Sequence, residues 1–530
     1  MARWTNLPAE VRMMIFGIVV KDYRFRSDGY ARAGYASVCR EWQPVFEQRN
    51  FQRIVVDQDR IGDFERIMGN ETTKYRRDYL EHLFLRIKFD DYDCAVCQLK
   101  EDDETMRNNN EVFFTALCIL LSILSKWNRN RRQNWLTLEL GAYSPGDCKH
   151  TFRDFHPQEN YPYQEYNDVE TQPGASIQRI ERLGRDTLND PYHGWVNGQQ
   201  EGLSLGSKQR IMGTLAIDNL PKPSIHSYTF PKVEIITNLF IRRQFYRKIA
   251  AKSLDKLLRE SFTCLKWFRH ETWHDVDPQQ QLRFEKDYKR LLLHGIPRNL
   301  RRLSIFENYN KRLHPEHFNQ FTHLEQYTRR ANPSLGKALS KSSRLLISLT
   351  VSFLVDAVDF FASFQPTNNP NVNVIPWENL ENLALTSRLL HPMTAYRKIN
   401  EMLAAAGRAA ASMPKLKIME IWNGGRGHAC VFRYTNIDGK AHISWESTWG
   451  SRFQLDPDVI NSWANVPRQG KYPHGNFTRS VNPKSWRQHR METYGSVILH
   501  LKQGSRMQHF LSFFQMMSEI PRLSKSSTHA

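Results

Sequence analysis

A short apolar pattern recurs along most of this 530-residue chain and limits the folds that it can adopt. Three apolar residues occupy its first, fourth and sixth positions, as in the strand of a leucine-rich repeat. Because 40% of the residues are apolar, chance alone predicts about 34 matches, so the pattern is informative only where a helix follows it. It starts at Leu80, Trp135, Met212, Ile236, Phe262, Leu300, Leu346, Leu380, Leu416 and Tyr494.

Helices are predicted between several of these strands. Apolar residues recur at three- and four-residue intervals within 245–258, 353–364 and 396–413, and Pro414 ends the third helix. The five strand patterns that begin with the one at Phe262 start 38, 46, 34 and 36 residues apart, more than the about 20 to 29 residues of regular repeats. We therefore expect an α/β (α+β) chain: a small helical module, then an irregular leucine-rich-repeat-like solenoid whose curved strand face can bind a partner.

The same patterns divide the chain into regions. Residues 1–56 are predicted to form the helical module, residues 57–500 the repeat-like domain, and residues 501–530 a basic C-terminal segment. Pro, Tyr, Asn, Gly and Asp are frequent within 141–201, where no periodicity is found. That stretch is predicted to be a long loop or insertion.

The net charge of +19 is concentrated in two regions. Residues 231–320 contain 19 basic and 10 acidic side chains, and residues 468–530 contain 10 and 2, whereas the first 230 residues contain 30 and 32. A basic surplus favours an acidic partner, such as nucleic acid, an anionic membrane or an acidic protein surface. Because the basic residues within 242–248 alternate with apolar ones, we expect them on the polar side of folded elements.

Neither a membrane span nor secretion is expected. The apolar stretch Val112–Leu124 has 13 residues, fewer than the roughly 20 of a membrane-spanning helix, and is predicted to be a buried helix. The seven cysteines are odd in number and scattered, as in reduced proteins. A cytoplasmic or nuclear location is therefore expected.

Two apolar helices are predicted within the first 56 residues. Proline suits the first turn of a helix because it lacks an N–H group, so Leu7-Pro8 marks the start of the first helix. A module of about 50 residues cannot bury two apolar helices without a partner surface. The two apolar faces comprise Val11, Met14, Ile15, Ile18 and Val19, then Tyr35, Val38, Cys39, Trp42, Val45 and Phe46.

This arrangement resembles the F-box, with Leu-Pro-x-Glu, an apolar helix, and Val-Cys-Arg-x-Trp followed by a large apolar residue. An F-box docks on the Skp-type adaptor of a cullin (SCF) ubiquitin ligase. The linker from Asp22 to Gly34 is longer and more charged than the family pattern. The resemblance implies that the adaptor is contacted, or the contacting helices held, by Leu7, Pro8, Val11, Ile15, Ile18, Val38, Trp42 and Phe46. The alternative is that these helices cap the larger domain.

The whole-chain layout is similar to that of F-box proteins of filamentous fungi with a large uncharacterised C-terminal domain. The resemblance implies a non-enzymatic substrate-recognition subunit that binds the adaptor, through it a cullin, and an unknown target protein. The target could be acidic or phosphorylated, because arginine forms charge-assisted hydrogen bonds with such groups. The candidate target-binding residues are Arg242, Arg243, Arg301 and Arg302.

The competing hypothesis is a nucleic-acid-binding protein that uses residues 231–320 and 468–530. Basic residues alternate with aromatic ones in Trp127–Trp135 and Lys266–Arg269, as in proteins that stack on single strands. Aromatic residues at strand spacing also fit a buried core with basic residues at its edge. The second explanation is favoured, so nucleic acid is the less expected partner.

No catalytic, cofactor or metal site is predicted. The Gly-x-Ser-x-Gly motif at Gly202–Gly206 follows a polar segment, where a serine hydrolase would have a strand. Cys94-x-x-Cys97 lacks the second ligand pair of a zinc site, so two ordinary thiols are expected. The Gly-rich segment Trp422–His428 lacks the Lys-Ser/Thr of a phosphate loop and fits a hairpin turn.

Overall fold

The protein is divided into two α/β units, each with parallel strands of its own. In a computed structural model, unit 1 comprises Met1–Leu300 and Asn310–Pro315, and unit 2 comprises Arg301–Tyr309 and Glu316–Ala530. The structure describes residues 4–23, 34–127, 136–152, 189–196, 199–200, 202–217, 229–310, 313–314, 332–365, 375–425, 428–437, 439–449, 453–466 and 477–483. Most strand pairs are parallel, which confirms the α/β class.

Unit 1 is built around a run of parallel strands. Its helices are α1 (Ala9–Tyr23), α2 (Trp42–Gln52), α3 (Ile61–Gly69), α4 (Arg76–Tyr79), α5 (Asp103–Ser125), α6 (Leu205–Ile211), α7 (Ala251–Glu260) and α8 (Pro278–Arg290). Its strands are β1 (Arg53–Val56), β2 (His82–Lys88), β3 (Leu136–Tyr143), β4 (Trp195–Val196), β5 (Gln199–Gln200), β6 (Thr214–Leu215), β7 (Ile236–Ile241), β8 (Lys248–Ile249) and β9 (Trp267–Trp273). Strands β1, β2, β3, β7 and β9 pair in that order, all parallel.

Unit 2 begins with parallel strands and continues with an antiparallel segment. Its helices are α9 (Pro333–Ser342), α10 (Ala357–Phe360), α11 (Tyr396–Ala410) and α12 (Pro457–Ala464). Its strands are β10 (Arg302–Asn308), β11 (Ser348–Ser352), β12 (Asn382–Thr386), β13 (Ile418–Gly425), β14 (His428–Ile437), β15 (Lys440–Ser447) and β16 (Phe477–Pro483). Strands β10 to β13 pair in parallel, β13, β14 and β15 pair antiparallel, and β16 pairs parallel to β15.

The strand patterns in the sequence coincide with observed strands. Nine of the ten patterns overlap or directly precede a strand, and the tenth, at Tyr494, lies outside the described residues. The predicted hairpin is confirmed, since β13 and β14 are antiparallel and Gly425 pairs with His428. The predicted loop at 141–201 begins too early, because β3 continues to Tyr143. Residues 153–188 and 501–530 lie outside the described part.

Helix α5, with 23 residues, is the longest described helix of unit 1. By length and composition it could cross a membrane, but half of its most apolar window is buried inside the protein. It packs against α3, β2 and β6. Asp102 caps its first turn by accepting a hydrogen bond from the Thr105 N–H group, at 2.7 Å. The apolar stretch Val112–Leu124 is thus helical and largely buried, as predicted.

Several basic side chains of the 231–320 region are buried in ion pairs. The Arg247 Nη2 atom donates to Glu101 Oε1 at 2.7 Å, and Asn109 donates to the same oxygen at 3.0 Å. Burial alone would lower the pKa of Arg247. The carboxylates of Glu101 and Asp147 raise this pKa by more than burial lowers it, so the guanidinium stays charged. The other buried pairs are Arg242–Glu139, Lys248–Asp275 and Arg269–Glu271.

Loss of one partner of a buried pair leaves a buried charge without compensation. We therefore expect Glu101→Gln to lower the free energy of unfolding of unit 1 by about 3–5 kcal/mol. The exposed pair Arg397–Glu401 supplies a matched control, since Glu401→Gln should change stability by less than about 1 kcal/mol. Hydrogen exchange of the α5 amides measures the effect of Glu101→Gln, and hydrogen exchange of the α11 amides measures the effect of Glu401→Gln. Equal small effects of both variants would contradict the role assigned to the Glu101 pair.

Candidate adaptor-docking surface

An aromatic cluster holds the first two helices of the protein together. Phe16 of α1 and Phe46 of α2 are buried, and their ring centroids lie 6.2 Å apart. Trp42 packs between them, 5.4 Å from Phe16 and 5.2 Å from Phe46. Trp4 and Tyr35 complete the cluster. Five aromatic rings in mutual contact give this small module a core of its own.

The side chain of Glu41 joins the start of α1 to the start of α2. One carboxylate oxygen accepts a hydrogen bond from Trp4 Nε1 at 2.7 Å, and the other lies 2.9 Å from Arg12 Nε. Leu7 donates its N–H group to the Trp4 carbonyl at 3.2 Å, which fixes the turn before Pro8. The Leu-Pro corner is therefore held by contacts on both sides of it.

Helix α1 is apolar on its outer side as well as on its inner side. Phe16 faces the aromatic cluster, whereas Met14 and Ile18 are 68% and 60% exposed. Val11 is also exposed, and the spacing of Val11, Met14 and Ile18 places them on one helix face. We call these three residues the outer face. Contiguous exposed apolar residues of this kind mark interaction sites.

Helix α2 is anchored to the rest of unit 1 through Glu47. Its carboxylate accepts hydrogen bonds of 2.6 Å from Tyr75 and from Arg76, and one of 3.2 Å from Gln43. Burial raises the pKa of Glu47, but these hydrogen bonds, led by that of Arg76, bring it below its usual value. The Arg76 guanidinium also lies 4.7 Å above the Phe51 ring. The module is thus attached by α2, while the outer face of α1 stays exposed.

The eight residues that the F-box resemblance singles out fall into two groups. Trp42 and Phe46 belong to the aromatic cluster, where they hold α1 and α2 together. The other six lie at the surface: Pro8, Val11, Ile18 and Val38 are exposed, and Leu7 and Ile15 are half-buried. Sequence reasoning missed that Phe16, absent from the predicted apolar face, is the α1 residue that fills the core.

The expectation of an exposed basic surface is wrong for two of the four candidate arginines. The Arg242 side chain is buried and paired with Glu139, which itself lies 2.9 Å from His82 Nε2. The Arg243 guanidinium lies 4.4 Å above the Trp273 ring. In unit 2, Arg301 is half-buried and Arg302 is exposed at the start of β10.

The aromatic segments proposed for nucleic-acid stacking are largely part of the core. Trp127 is buried, stacks on Phe64 with a centroid distance of 5.7 Å, and receives the Arg77 guanidinium at 4.9 Å. Phe268 is fully buried in β9. Residues 128–135 lie outside the described part. These rings are therefore engaged in packing, as the core explanation predicts.

Two of the three motifs to which the sequence assigned no site behave differently in the structure. Ser204 of the Gly-x-Ser-x-Gly motif caps α6, accepting a hydrogen bond from the Ser207 N–H group at 3.0 Å. The Cys97 thiol lies 3.3 Å from the Cys94 carbonyl oxygen. Cys94 instead lies beside His150 and His193, and these three residues are the group within the described residues that could hold a metal ion.

Comparison with known proteins assigns no activity. Residues 295–509 match a family of unknown function, DUF6546. The match includes every described strand of unit 2 and covers less than half of the 530 residues. No curated protein matches the chain.

Because the aromatic cluster is the core of the N-terminal module, truncation there should loosen both helices. We expect Phe46→Ala to lower the opening free energy of the α1 and α2 amides by about 3–5 kcal/mol, as for other buried Phe→Ala changes. Ile18→Ser on the outer face should change it by less than about 0.5 kcal/mol. Hydrogen exchange with mass spectrometry separates the two cases. A larger loss of protection in Ile18→Ser would place the core on the other side of α1.

The Glu47 anchor should make the attachment of α2 sensitive to acid. Since the folded-state pKa is lower than the unfolded value of about 4.3, the carboxylate stabilises the fold above that pH. This contribution is lost as the pH falls through the folded-state pKa. The melting temperature of Glu47→Gln should therefore lie below that of the unmodified protein at pH 7 and converge with it once the pH falls below the folded-state pKa. Glu71→Gln changes an exposed carboxylate, so its melting temperature should stay close to that of the unmodified protein at every pH.

Proposed function

We propose that this protein is the substrate-recognition subunit of a cullin-type (SCF) ubiquitin ligase, in which the N-terminal module docks on the Skp-type adaptor. The outer face of α1 is the observation on which the proposal rests. An F-box needs an apolar surface that is available to the adaptor, and Val11, Met14 and Ile18 are exposed. Pro8 and Val38, two further residues singled out by the resemblance, are exposed too.

The internal construction of the module also supports adaptor docking. Helix α1 contacts the cluster through Phe16 and Val19, so the three residues of the outer face are not needed for this packing. Burial of apolar surface in a complex contributes about 25 cal/mol for each Å² removed from water. Docking of the outer face would thus stabilise a complex without disturbing the aromatic core. An α1 that merely capped the larger domain would bury its outer face.

The strands provide the proposed target-binding domain. In unit 2, β10, β11, β12 and β13 pair in the order of the sequence, with one helix-containing connection after another. In unit 1, β1, β2, β3, β7 and β9 do the same. Sequential parallel strands are what an irregular leucine-rich-repeat-like solenoid requires. The strand residues themselves are mostly buried, as in β3 and β12, so a target protein would contact the ends of the strands and their connections.

Arg302 is the best placed of the proposed target-binding residues. It is exposed at the first position of β10, while the carbonyl of Arg301 is used in hydrogen bonds from Ile347 and Ser348. An exposed guanidinium can bind a carboxylate or phosphate of a target with two parallel hydrogen bonds. Arg242 and Arg243 are left out of this proposal because they are buried.

The buried ion pairs argue against the nucleic-acid hypothesis. Arg242, Arg247 and Lys248, three basic residues of the 231–320 region, are neutralised by buried carboxylates. A phosphate backbone is bound by basic side chains that can reach it from the surface. These three basic side chains are therefore not available to a phosphate backbone, and we do not propose nucleic acid as the partner.

Adaptor binding can be tested with charge substitutions on the outer face. We expect Val11→Glu with Ile18→Glu to weaken binding of the purified full-length protein to a Skp-type adaptor at least 100-fold. This corresponds to a loss of about 2.7 kcal/mol, because two charges would be desolvated in the interface. Isothermal titration calorimetry measures the affinity. Leu7→Ala with Pro8→Ala should also weaken binding, because it removes the corner before α1.

Ile437→Glu is the matched control for this experiment. Ile437 in unit 2 is 65% exposed, close to the 60% of Ile18, so it tests the effect of a new surface glutamate alone. It should bind the adaptor with unchanged affinity. Full binding by the outer-face double variant would refute the docking mode. Co-purification of adaptor and cullin with the unmodified protein, lost in the double variant, would identify the ligase class.

A further inference from the structure

Cys94 and His150 are brought together by neighbouring parallel strands. The segment that contains Cys94 leaves the carboxyl end of β2, and the segment that contains His150 leaves the carboxyl end of β3. The two segments remain connected beyond the strands, where Phe89 donates its N–H group to the Tyr143 carbonyl at 2.8 Å. The carboxyl ends of parallel strands are a common position for binding sites in α/β folds.

His193 reaches the same place from a third segment. It ends a short 3-10 turn, Pro191–His193, that is closed by paired backbone hydrogen bonds between Asp190 and Trp195 of 2.7 and 2.9 Å. Trp195 Nε1 donates to the Thr151 carbonyl at 3.0 Å, which connects this turn to the residue after His150. Three separate segments are thus held against one another around one point.

The distances between the three side chains match the edges of a tetrahedral metal site. The Cys94 Sγ atom lies 3.5 Å from His150 Nδ1 and 3.6 Å from His193 Nε2. All three ligand atoms lie within 4.8 Å of one another. In a tetrahedral site with Zn–S of about 2.3 Å and Zn–N of about 2.0–2.1 Å, sulfur and nitrogen ligands are about 3.5 Å apart.

Each imidazole ring makes a hydrogen bond through one nitrogen, and its other nitrogen, which has the lone pair, faces Cys94 Sγ. His150 Nε2 lies 2.9 Å from the Tyr92 carbonyl oxygen, which can only accept, so Nε2 carries the proton and Nδ1 has the lone pair. His193 Nδ1 lies 2.6 Å from Asp190 Oδ2, so Nδ1 donates to the carboxylate and Nε2 has the lone pair. Metal-binding histidines are oriented by such carbonyl and carboxylate partners.

Two histidines around one sulfur favour a metal site over a cysteine nucleophile. Cys94, His193 and Asp190 alone would also satisfy the geometry of a Cys-His-Asp triad. A nucleophile needs one base, however, whereas here the Nδ1 lone pair of His150 is aimed at the same sulfur. A thiol has one proton and can donate it to one ring, while a cation is attracted by the thiolate and both nitrogens.

We propose that Cys94, His150 and His193 bind a Zn²⁺ ion in unit 1, with Asp190 and the Tyr92 carbonyl orienting the two imidazole rings. The ion forms one bond to sulfur and one to each nitrogen, and the thiol proton is released to water. Three protein ligands leave a fourth coordination position for water. Both rings are buried, whereas Cys94 is exposed, so the ion can enter from its side. Cys97 is not part of this group, because its thiol donates a hydrogen bond to the Cys94 carbonyl oxygen at 3.3 Å.

The ion would connect parts of the chain that are distant in sequence. Cys94 is 56 residues from His150 and 99 residues from His193. Because the three ligands meet only in the folded arrangement, the free energy of metal binding stabilises that arrangement over the unfolded chain. It would fix both sides of residues 153–188 to the segment after β2.

Metal analysis of the full-length protein tests this proposal directly. After chelation and dialysis against ZnCl₂, we expect about one equivalent of bound zinc by elemental analysis, and a higher melting temperature than that of the chelated protein. Cys94→Ser and His193→Asn should each weaken zinc binding at least 100-fold. Asp190→Asn should weaken it about 10- to 100-fold, as other losses of a histidine-orienting group do. Cobalt should give a thiolate-to-metal charge-transfer band that Cys94→Ser abolishes.

Cys97→Ser is the matched control, because it removes the neighbouring thiol of the same Cys-x-x-Cys motif. It should retain one equivalent of zinc and the cobalt band. Circular dichroism verifies that each variant is folded, and the cobalt band reports on the sulfur even where affinity is low. Absence of zinc from the unmodified protein, or unchanged binding in Cys94→Ser and His193→Asn, would overturn the proposal. Rapid alkylation of Cys94 that zinc does not slow would overturn it too and indicate a nucleophile.

Discussion

Parallel strand pairing is the constraint on which most of the described structure depends. Parallel neighbours cannot be joined by a tight turn, so each pair requires a long connection between its strands. Their carboxyl ends also lie at the same edge. In unit 1 this edge collects the polar residues that follow β2, β3, β7 and β9. They are Cys94, His150, Arg242, Arg247 and Asp275. The candidate metal site and the buried ion pairs are both consequences of that arrangement.

Several of the basic residues that contribute to the net charge are buried in ion pairs. Glu101 and Glu139 belong to the nearly neutral first 230 residues, yet they pair with Arg247 and Arg242 of the basic region. A buried cation without a partner would cost several kcal/mol, so the fold can bury these arginines only where a carboxylate meets them. The count for residues 231–320 therefore includes basic side chains that do not reach the surface, although each ion pair leaves the net charge of the protein unchanged. Arg302, which is exposed, contributes to that surface.

The sequence predicts the elements of this fold better than their contacts. Strands such as β11 and β12 and helix α11 were predictable because the apolar periods of 2 and 3.6 reflect local geometry. The burial of Arg242 was not, because its partner Glu139 is 103 residues away and no local pattern encodes the pair. The same holds for Cys94, whose histidine neighbours have no motif spacing. The α1 prediction failed in part because the helix is apolar on all sides, so periodicity could not distinguish Phe16 from Ile18.

The apolar residues around α1 are best explained by two different packing partners. One side is satisfied by the aromatic cluster, in which Phe16 contacts Trp42 and Phe46. The other side, with Met14 and Ile18, remains in contact with water. Exposed apolar surface contributes nothing to folding, since it is exposed in the unfolded chain as well. Its free energy is released only when a second surface covers it, which is why the outer face indicates association. Because Cys94, His150 and His193 do not belong to this module, the docking and metal proposals rest on separate residues, and either can fail without the other.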